Sequence, residues 1–303
     1  MDEIFQTKQK PSIEVFHANS EAALEGVKLV CRFMEKIESS IMGTRINAEK
    51  DLNRLRNDFL TGLWYRAFAW IKSISMINHI CGLQAFATAN RALLEFSVDM
   101  IFLSNDKTNS NGEKLFWFMQ SEKLKVAENL VSYGQINNRP DLVAVWNNFA
   151  INNRIIIKEK RKLYWNSGIK FNANVHPNKR WTGSSDLKID VIEADQVFEA
   201  LIRKSLGMKL EDYYKTEYGR VNWLIHSGTS SFWNLPAESF EAEACLNFIF
   251  IASFGVLCSE IILRDFEINK YWENYENEIT KLNNQRIELI NQVPELPYPE
   301  NLI

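Results

Sequence analysis

Cysteine, histidine, glycine and proline are all scarce in this chain of 303 residues, at 4, 4, 12 and 7, and each scarcity removes a class of protein. Cys31, Cys81, Cys245 and Cys258 form no C-x-x-C pair and no disulfide framework, so they read as small buried apolar side chains in a reducing compartment. His17, His79, His176 and His226 stand in none of the H-E-x-x-H, H-x-x-x-H or Glu-x-x-His spacings, which argues against zinc and di-iron sites. The few glycines build no P-loop, no dinucleotide fingerprint and no G-x-S-x-G elbow, and neither a C₂H₂ finger nor an RRM signature is present. No metal and no cofactor is therefore expected. An excess of one charge is missing too: 35 basic against 38 acidic side chains leave −3, so a nucleic-acid role would need a local basic patch.

Long hydrophobic runs are equally rare. The most apolar window, Ala244 to Leu263, is interrupted by Asn247, Ser253, Ser259 and Glu260, and its unbroken part is shorter than the ~20 residues a bilayer requires. It reads as the central helix of a core, and no membrane is expected as a partner. Met1 to Lys10 carries no basic segment followed by an apolar stretch, and no lipidation motif is visible, so a cytoplasmic location is expected.

What the chain has in quantity is large apolar material: 46% hydrophobic residues, with 19 Phe and 9 Trp beside 30 Asn. With so few breakers, this composition favours long uninterrupted helices. Three- and four-residue apolar steps begin after Ser20, and Leu63 to Ile80 and Leu83 to Leu103 are apolar around most of their circumference. Ser104 to Gly112 reads as a turn. Glu113 to Gln135 and Asp141 to Trp165 form a helical pair, the second capped by Asp141 and ending in the basic run Lys158 to Lys162. Asn166 to Lys188 is the longest irregular stretch, a length uncommon in compact domains unless the loop has a role. Val191 to Leu206, Leu210 to Ser227, Glu238 to Phe266 and a polar helix near Asn269 to Asn291 complete the pattern. The expected fold is an all-α multi-helix bundle of about eight or nine helices. An N-terminal arm and helices (1–60) pack on a helical core domain (61–266) with its long loop (166–188), and a C-terminal helix and Pro-rich tail (267–303) follow.

Three constellations carry chemistry. Tyr218, Asn222 and His226 fall at steps of four, on one helix face, and a histidine near its ordinary pKa exchanges protons at neutral pH. The bland reading is a capping or core histidine. Arg220 lies six residues before His226, about 120° away around a regular helix, so the two meet only across a cleft or a subunit contact. Arg91 and Glu95 are spaced for an i, i+4 ion pair, and Gln84, Thr88 and Asp99 extend the same polar stripe along an apolar helix. Such a stripe is either a solvated face or the lining of a cavity.

Taken in order, R-x-L-L-E on a helix, W-T-G within Lys179 to Ser184, and Y-x-x-x-N-x-x-x-H-x-G resemble the bacterial family called domain of unknown function 5677 over roughly residues 60 to 260. That family is similar in character to the HEPN superfamily of helical bundles, many of them metal-independent ribonucleases of toxin–antitoxin and antiphage systems. The resemblance implies a HEPN-like core and a homodimer in which arginine and histidine gather around the two-fold axis. RNA would be a partner, as would an antitoxin or another defence-system protein. Arg220 and His226 match the spacing of the HEPN signature, and Val221 stands where that signature usually has a polar residue. On this reading His226 is the general base or acid, Arg220 neutralises phosphate, and Asn222 and Tyr218 orient the imidazole. Lys158, Lys160, Arg161 and Lys162, with Lys179, Arg180 and Trp181, would help to hold the strand by charge and stacking, with Arg91 and Glu95 lining the same cleft. The alternative is a non-catalytic helical module that binds a partner protein or a small ligand near Arg91, Glu95, Trp181 and His226.

Overall fold

The structure, a computed structural model, describes residues 13–47, 54–77, 82–106, 110–165, 180–184, 186–226, 237–266, 276–285 and 288. Among the described residues there is no strand. The order is α1 (Ile13–Asn47), α2 (Arg54–Ser75), α3 (Leu83–Asn105), α4 (Ser110–Ile136), α5 (Pro140–Tyr164), α6 (Leu187–Leu206), α7 (Leu210–Tyr213), a π turn (Tyr214–Tyr218), α8 (Gly219–His226) and α9 (Ala237–Asp265). A further helical stretch occupies 276–285. The all-α multi-helix bundle read from composition and periodicity is what the chain forms.

The core is organised around α9, against which α1, α2, α3 and α6 pack. Its segment Glu241–Asp265 has the length and apolarity of a membrane-crossing helix, but 94% of the most apolar window is buried inside the protein, as a core helix enclosed by neighbours must be. Close approach depends on Gly255: a Cβ there would stand 2.2 Å from Ile71 Cδ1 and 2.7 Å from Val30 Cγ1, so α1 and α2 both rest on the bare backbone of α9. The polar residues that interrupt α9 have partners. Asn90 Nδ2 donates to Asn247 Oδ1 at 2.6 Å, and Glu260, fully buried, accepts from Ser205 Oγ and Lys204 Nζ, each at 2.9 Å. Such pairing is what allows them into the core.

Several boundaries differ from the sequence reading. α1 starts at Ile13 rather than Ser20, two residues after Pro11, a residue suited to a helix start and not to its interior. α2 starts at Arg54, so the division expected at 60/61 falls inside a helix; α1 and α2 share one hydrophobic cluster with α3, α6 and α9, and Ile279 joins it from the C-terminal stretch. The turn expected over 104–112 is shorter, since α3 runs to Asn105 and α4 begins at Ser110. α5 is capped at Arg139 with Pro140 in its first turn, and Asp141 ion-pairs with Arg139 instead of capping. Asp186 caps α6 by accepting from the Lys188 amide at 3.1 Å, which brings that helix forward from Val191 to Leu187. Of the long loop, 166–179 and 185 lie outside the described residues.

Candidate functional site

The polar stripe of α3 is the natural starting point, because a helix otherwise buried must send its charged residues to a seam between neighbours. α3 faces α8 and α6, and there the stripe separates into two clusters.

At the first, the R-x-L-L-E segment meets the Y-x-x-x-N segment. Arg91 Nε pairs with Glu95 at 3.2 Å, and Arg91 Nη1 donates to Asn222 Oδ1 at 3.2 Å. The guanidinium also lies 5.9 Å from the Tyr218 ring centroid, and Tyr218 stacks on Tyr214 with centroids 4.6 Å apart. Burial pushes the Tyr214 hydroxyl above its ordinary pKa. The Arg91 and Glu95 side chains are 38% and 34% exposed, so this cluster remains open to a ligand. The π turn at Tyr214–Tyr218 supplies part of the geometry, since its extra residue per turn re-phases the chain just before α8. Four of the sequence-predicted residues, Arg91, Glu95, Tyr218 and Asn222, are therefore brought together. His226 closes α8 one helical turn beyond Asn222, and its side chain lies outside the described residues.

Arg220 belongs to a different face. Its Nε pairs with Glu217 at 2.7 Å, and Nη1 pairs with Glu243 of α9, with only 14% of the side chain exposed. The adjacent Tyr213 is fully buried, and its hydroxyl and Arg220 Nη2 are among the buried polar atoms lacking a hydrogen-bond partner. Two carboxylates already compensate this guanidinium, which ties α8 to α9 in place of presenting a cation to solvent.

The second cluster is a clamp around the W-T-G turn. Arg180 Nη2 donates to Asp99 at 2.6 Å and Arg180 Nε to Asp190; Trp181 Nε1 donates to Asp99 at 2.8 Å and Thr182 Oγ1 to Asp190 at 2.8 Å. Lys114 Nζ donates to the Thr182 carbonyl, and Trp165 Nε1 to that of Trp181 at 2.9 Å. Trp181 is 4% exposed and Arg180 13%, so neither is free to grip a strand: the indole is packed edge-on against Phe102 and the guanidinium is spent on two aspartates. Burial raises the Asp99 carboxyl to about 6 against the opposing pull of Arg180 and the Trp181 N–H. Lys179 lies outside the described residues. Of the basic run ending α5, Arg161 is buried and donates to Ser121, and Lys160 sits 5.6 Å from the Trp117 ring centroid.

The residues that sequence reasoning missed are Asp190, Glu217 and Glu243. Glu217 had a local signal in its i, i+3 spacing to Arg220; Asp190 and Glu243 had none, because folding alone brings them to their arginines. Among the described residues no group of three or more His, Cys, Asp or Glu side chains could hold a metal ion. A cavity of about 390 Å³ lies away from the seam, between α1, α9 and the residues Leu282, Gln285 and Glu288, and is lined mainly by apolar side chains such as Ala22, Leu29, Ile249 and Leu282. No protein-family model, curated protein or solved structure matches the chain.

Proposed function

We propose that this chain is a non-catalytic helical binding module that docks a segment of a partner protein on the seam formed by Arg91 and Glu95 of α3 with Tyr218 of the π turn and Asn222 of α8. The observation that carries the reading is the way the arginines are matched. Arg220 is held by Glu217 and Glu243, Arg180 by Asp99 and Asp190, and Arg91 by Glu95. A polyphosphate strand needs uncompensated cations. A polypeptide instead needs half-exposed donors, acceptors and aromatic faces held in place, and the Arg91 cluster offers all three. The ordered motifs that resemble the family named above support a HEPN-like core, and with it an antitoxin or another defence-system protein as the kind of partner docked.

A second reading has one specific observation in its favour. α8 places His226 one turn beyond Asn222, the residue that meets Arg91. In a metal-independent ribonuclease built this way, Arg91 would take the phosphate-neutralising role that Arg220 is not free to play.

Incubation of cellular RNA with the protein in EDTA separates the two. The binding-module reading expects intact RNA, together with a protein retained on the immobilised chain and lost when Tyr218→Ala and Asn222→Ala are combined. Cleavage that disappears in both His226→Ala and Arg91→Ala overturns it in favour of the ribonuclease.

A further inference from the structure

α4 and α5 pack on each other, and along their seam each helix carries a polar ladder. Arg154, Lys158 and Arg161 fall at steps of four and three on α5, and Ser121, Lys125 and Glu128 do the same on α4, so each set stays within an arc of about 60°. The two ladders, with Leu124, line a cavity of about 330 Å³. Its floor is dry. Arg161 is 8% exposed and Ser121 4%, and Arg161 Nη1 donates to Ser121 Oγ at 2.5 Å. Leu124 beside them belongs to a small apolar cluster with Ala150 and Ile157, against which Trp117 and Phe149 pack. The rim is charged and open: Arg154 pairs with Glu128 at 2.9 Å, Lys125 pairs with Glu122 at 3.1 Å, and Lys158 is exposed. Burial pulls the Arg161 guanidinium below its ordinary pKa, against the opposing pull of Glu122. Four cations against these two carboxylates leave an excess of two positive charges at the cavity, and the stretch 166–179 that follows α5 contains no Asp or Glu.

We propose that this cavity binds a small phosphate monoester, its phosphate seated on Arg161 and Ser121 and its organic body held between Leu124 and the rim. Three observations select this class of ligand. The first is charge: a phosphate monoester is close to a dianion at neutral pH, which matches the excess of two, whereas a carboxylate supplies half of it. The second is the donor set. A guanidinium presents a planar fork to two phosphate oxygens, and Ser121 Oγ, which accepts from Arg161, keeps its hydroxyl proton for a third. The apolar cluster beneath them lowers the local dielectric and strengthens both contacts. The third is size, since about 330 Å³ is at the lower end of small-ligand pockets and larger than one phosphate ion needs. A monoester reaches the buried guanidinium end-first. A diester within a strand carries one charge per phosphate and two substituents, and needs an open track on both sides. The cavity lies on the α4–α5 hairpin, apart from the seam of α3 and α8, so the proposal stands or falls independently of the binding-module reading.

The test is isothermal titration calorimetry of the 303-residue chain with ribose 5-phosphate at low ionic strength, where screening is weak. One saturable site with a Kd below about 1 mM is expected. Arg161→Gln is expected to raise Kd at least about tenfold. Lys158→Gln, at an exposed position on the rim, is expected to raise it at least about threefold with the circular-dichroism helicity unchanged, and it carries the test if the buried change unfolds the hairpin. Lys123→Gln, at an exposed lysine of α4 whose ammonium lies over the Phe149 ring, is expected to leave Kd within about twofold. The absence of saturable heat up to about 10 mM overturns the proposal, as does a Kd that Lys158→Gln leaves unchanged or that Lys123→Gln raises equally. Ribose binding as tightly as its phosphate overturns it too. Inorganic phosphate binding as tightly as ribose 5-phosphate gives the cavity to the free ion, and a 5′-hydroxyl oligoribonucleotide that displaces ribose 5-phosphate at equal concentration gives it to a strand; either result overturns the monoester.

Discussion

Replacing Arg180 with alanine tests whether the W-T-G turn is a structural clamp or a surface for nucleic acid. The substitution removes two charge-assisted bonds, to Asp99 and Asp190, from a position where the arginine is 13% exposed and the carboxylates 17% and 1%. Breaking a buried pair by deleting one partner typically costs 3–5 kcal/mol, because the remaining charge is left uncompensated. Trp181 and Thr182 still donate to the two aspartates, so a loss of about 4 kcal/mol is expected, or about 8 °C in Tm at roughly 2 °C per kcal/mol for a chain of this size. The pH dependence sharpens the test. Burial already lifts Asp99 to about 6, with Arg180 the largest opposing influence, so without the arginine it rises further. A carboxyl whose folded pKa exceeds its unfolded value binds more protons in the folded state between the two, so stability grows as pH falls through that window and is lost as pH rises through it. The penalty of Arg180→Ala, measured by urea denaturation, is therefore smaller at pH 5 than at pH 7. A loss below about 1 kcal/mol at pH 7, or a penalty that grows on acidification, refutes the clamp.

Two further substitutions probe the framework of the site. Arg220→Met strands Glu217 and Glu243 where they are 12% and 19% exposed, so it is expected to cost about 3 kcal/mol in denaturant unfolding and to leave RNA binding by fluorescence anisotropy unchanged; a stable variant with altered RNA affinity would contradict the assignment. Gly255→Ala drives a methyl into Ile71 and Val30, and a loss of about 1–3 kcal/mol is expected from overpacking between α1, α2 and α9. A neutral Gly255→Ala in a thermal melt would mean that these helices are less tightly apposed than the distances state.

α3 and α9 were legible in the sequence because both are apolar around most of their circumference, and a helix of that kind can only be central. The starts of α2 and α6 were less visible, since their first turns carry Arg54, Asn57 and Asp58, and Asp186 and Lys188, polar residues that conceal apolar periodicity. The pairing of Arg91 with Glu95 followed from spacing alone. Arg220 was harder. The 120° offset from His226 already showed that it occupies another face, but its α9 partner Glu243 is 23 positions along the chain and becomes a neighbour only once α9 is in place. Arg180 and Trp181 were read as strand-holding groups for their charge and stacking surface, on the reading that the resemblance implies. Their partner Asp99 is 81 and 82 positions away, and no local pattern announces it.

The binding-module proposal rests on the division of the α3 stripe into a closed and an open half. Asp99, bound to Arg180 and Trp181 in a largely buried setting, contributes to holding the turn onto the bundle, and the energy of that arrangement explains its presence without a ligand. Arg91 and Glu95 have no such account. An ion pair about one-third exposed on each side contributes at most about 1 kcal/mol, too little to explain why a helix otherwise committed to the core keeps two charges at its contact with α8. The Asn222 amide and the Tyr218 ring, itself stacked on Tyr214, gather on the same guanidinium, fixing its direction more than they add to stability. Orientation of half-exposed polar groups is what recognition requires and folding does not. The net charge of −3 is consistent with this arrangement: Arg91, Arg180 and Arg220 each stand beside at least one carboxylate, and what the Arg91 cluster leaves exposed is hydrogen-bonding and aromatic surface rather than a field.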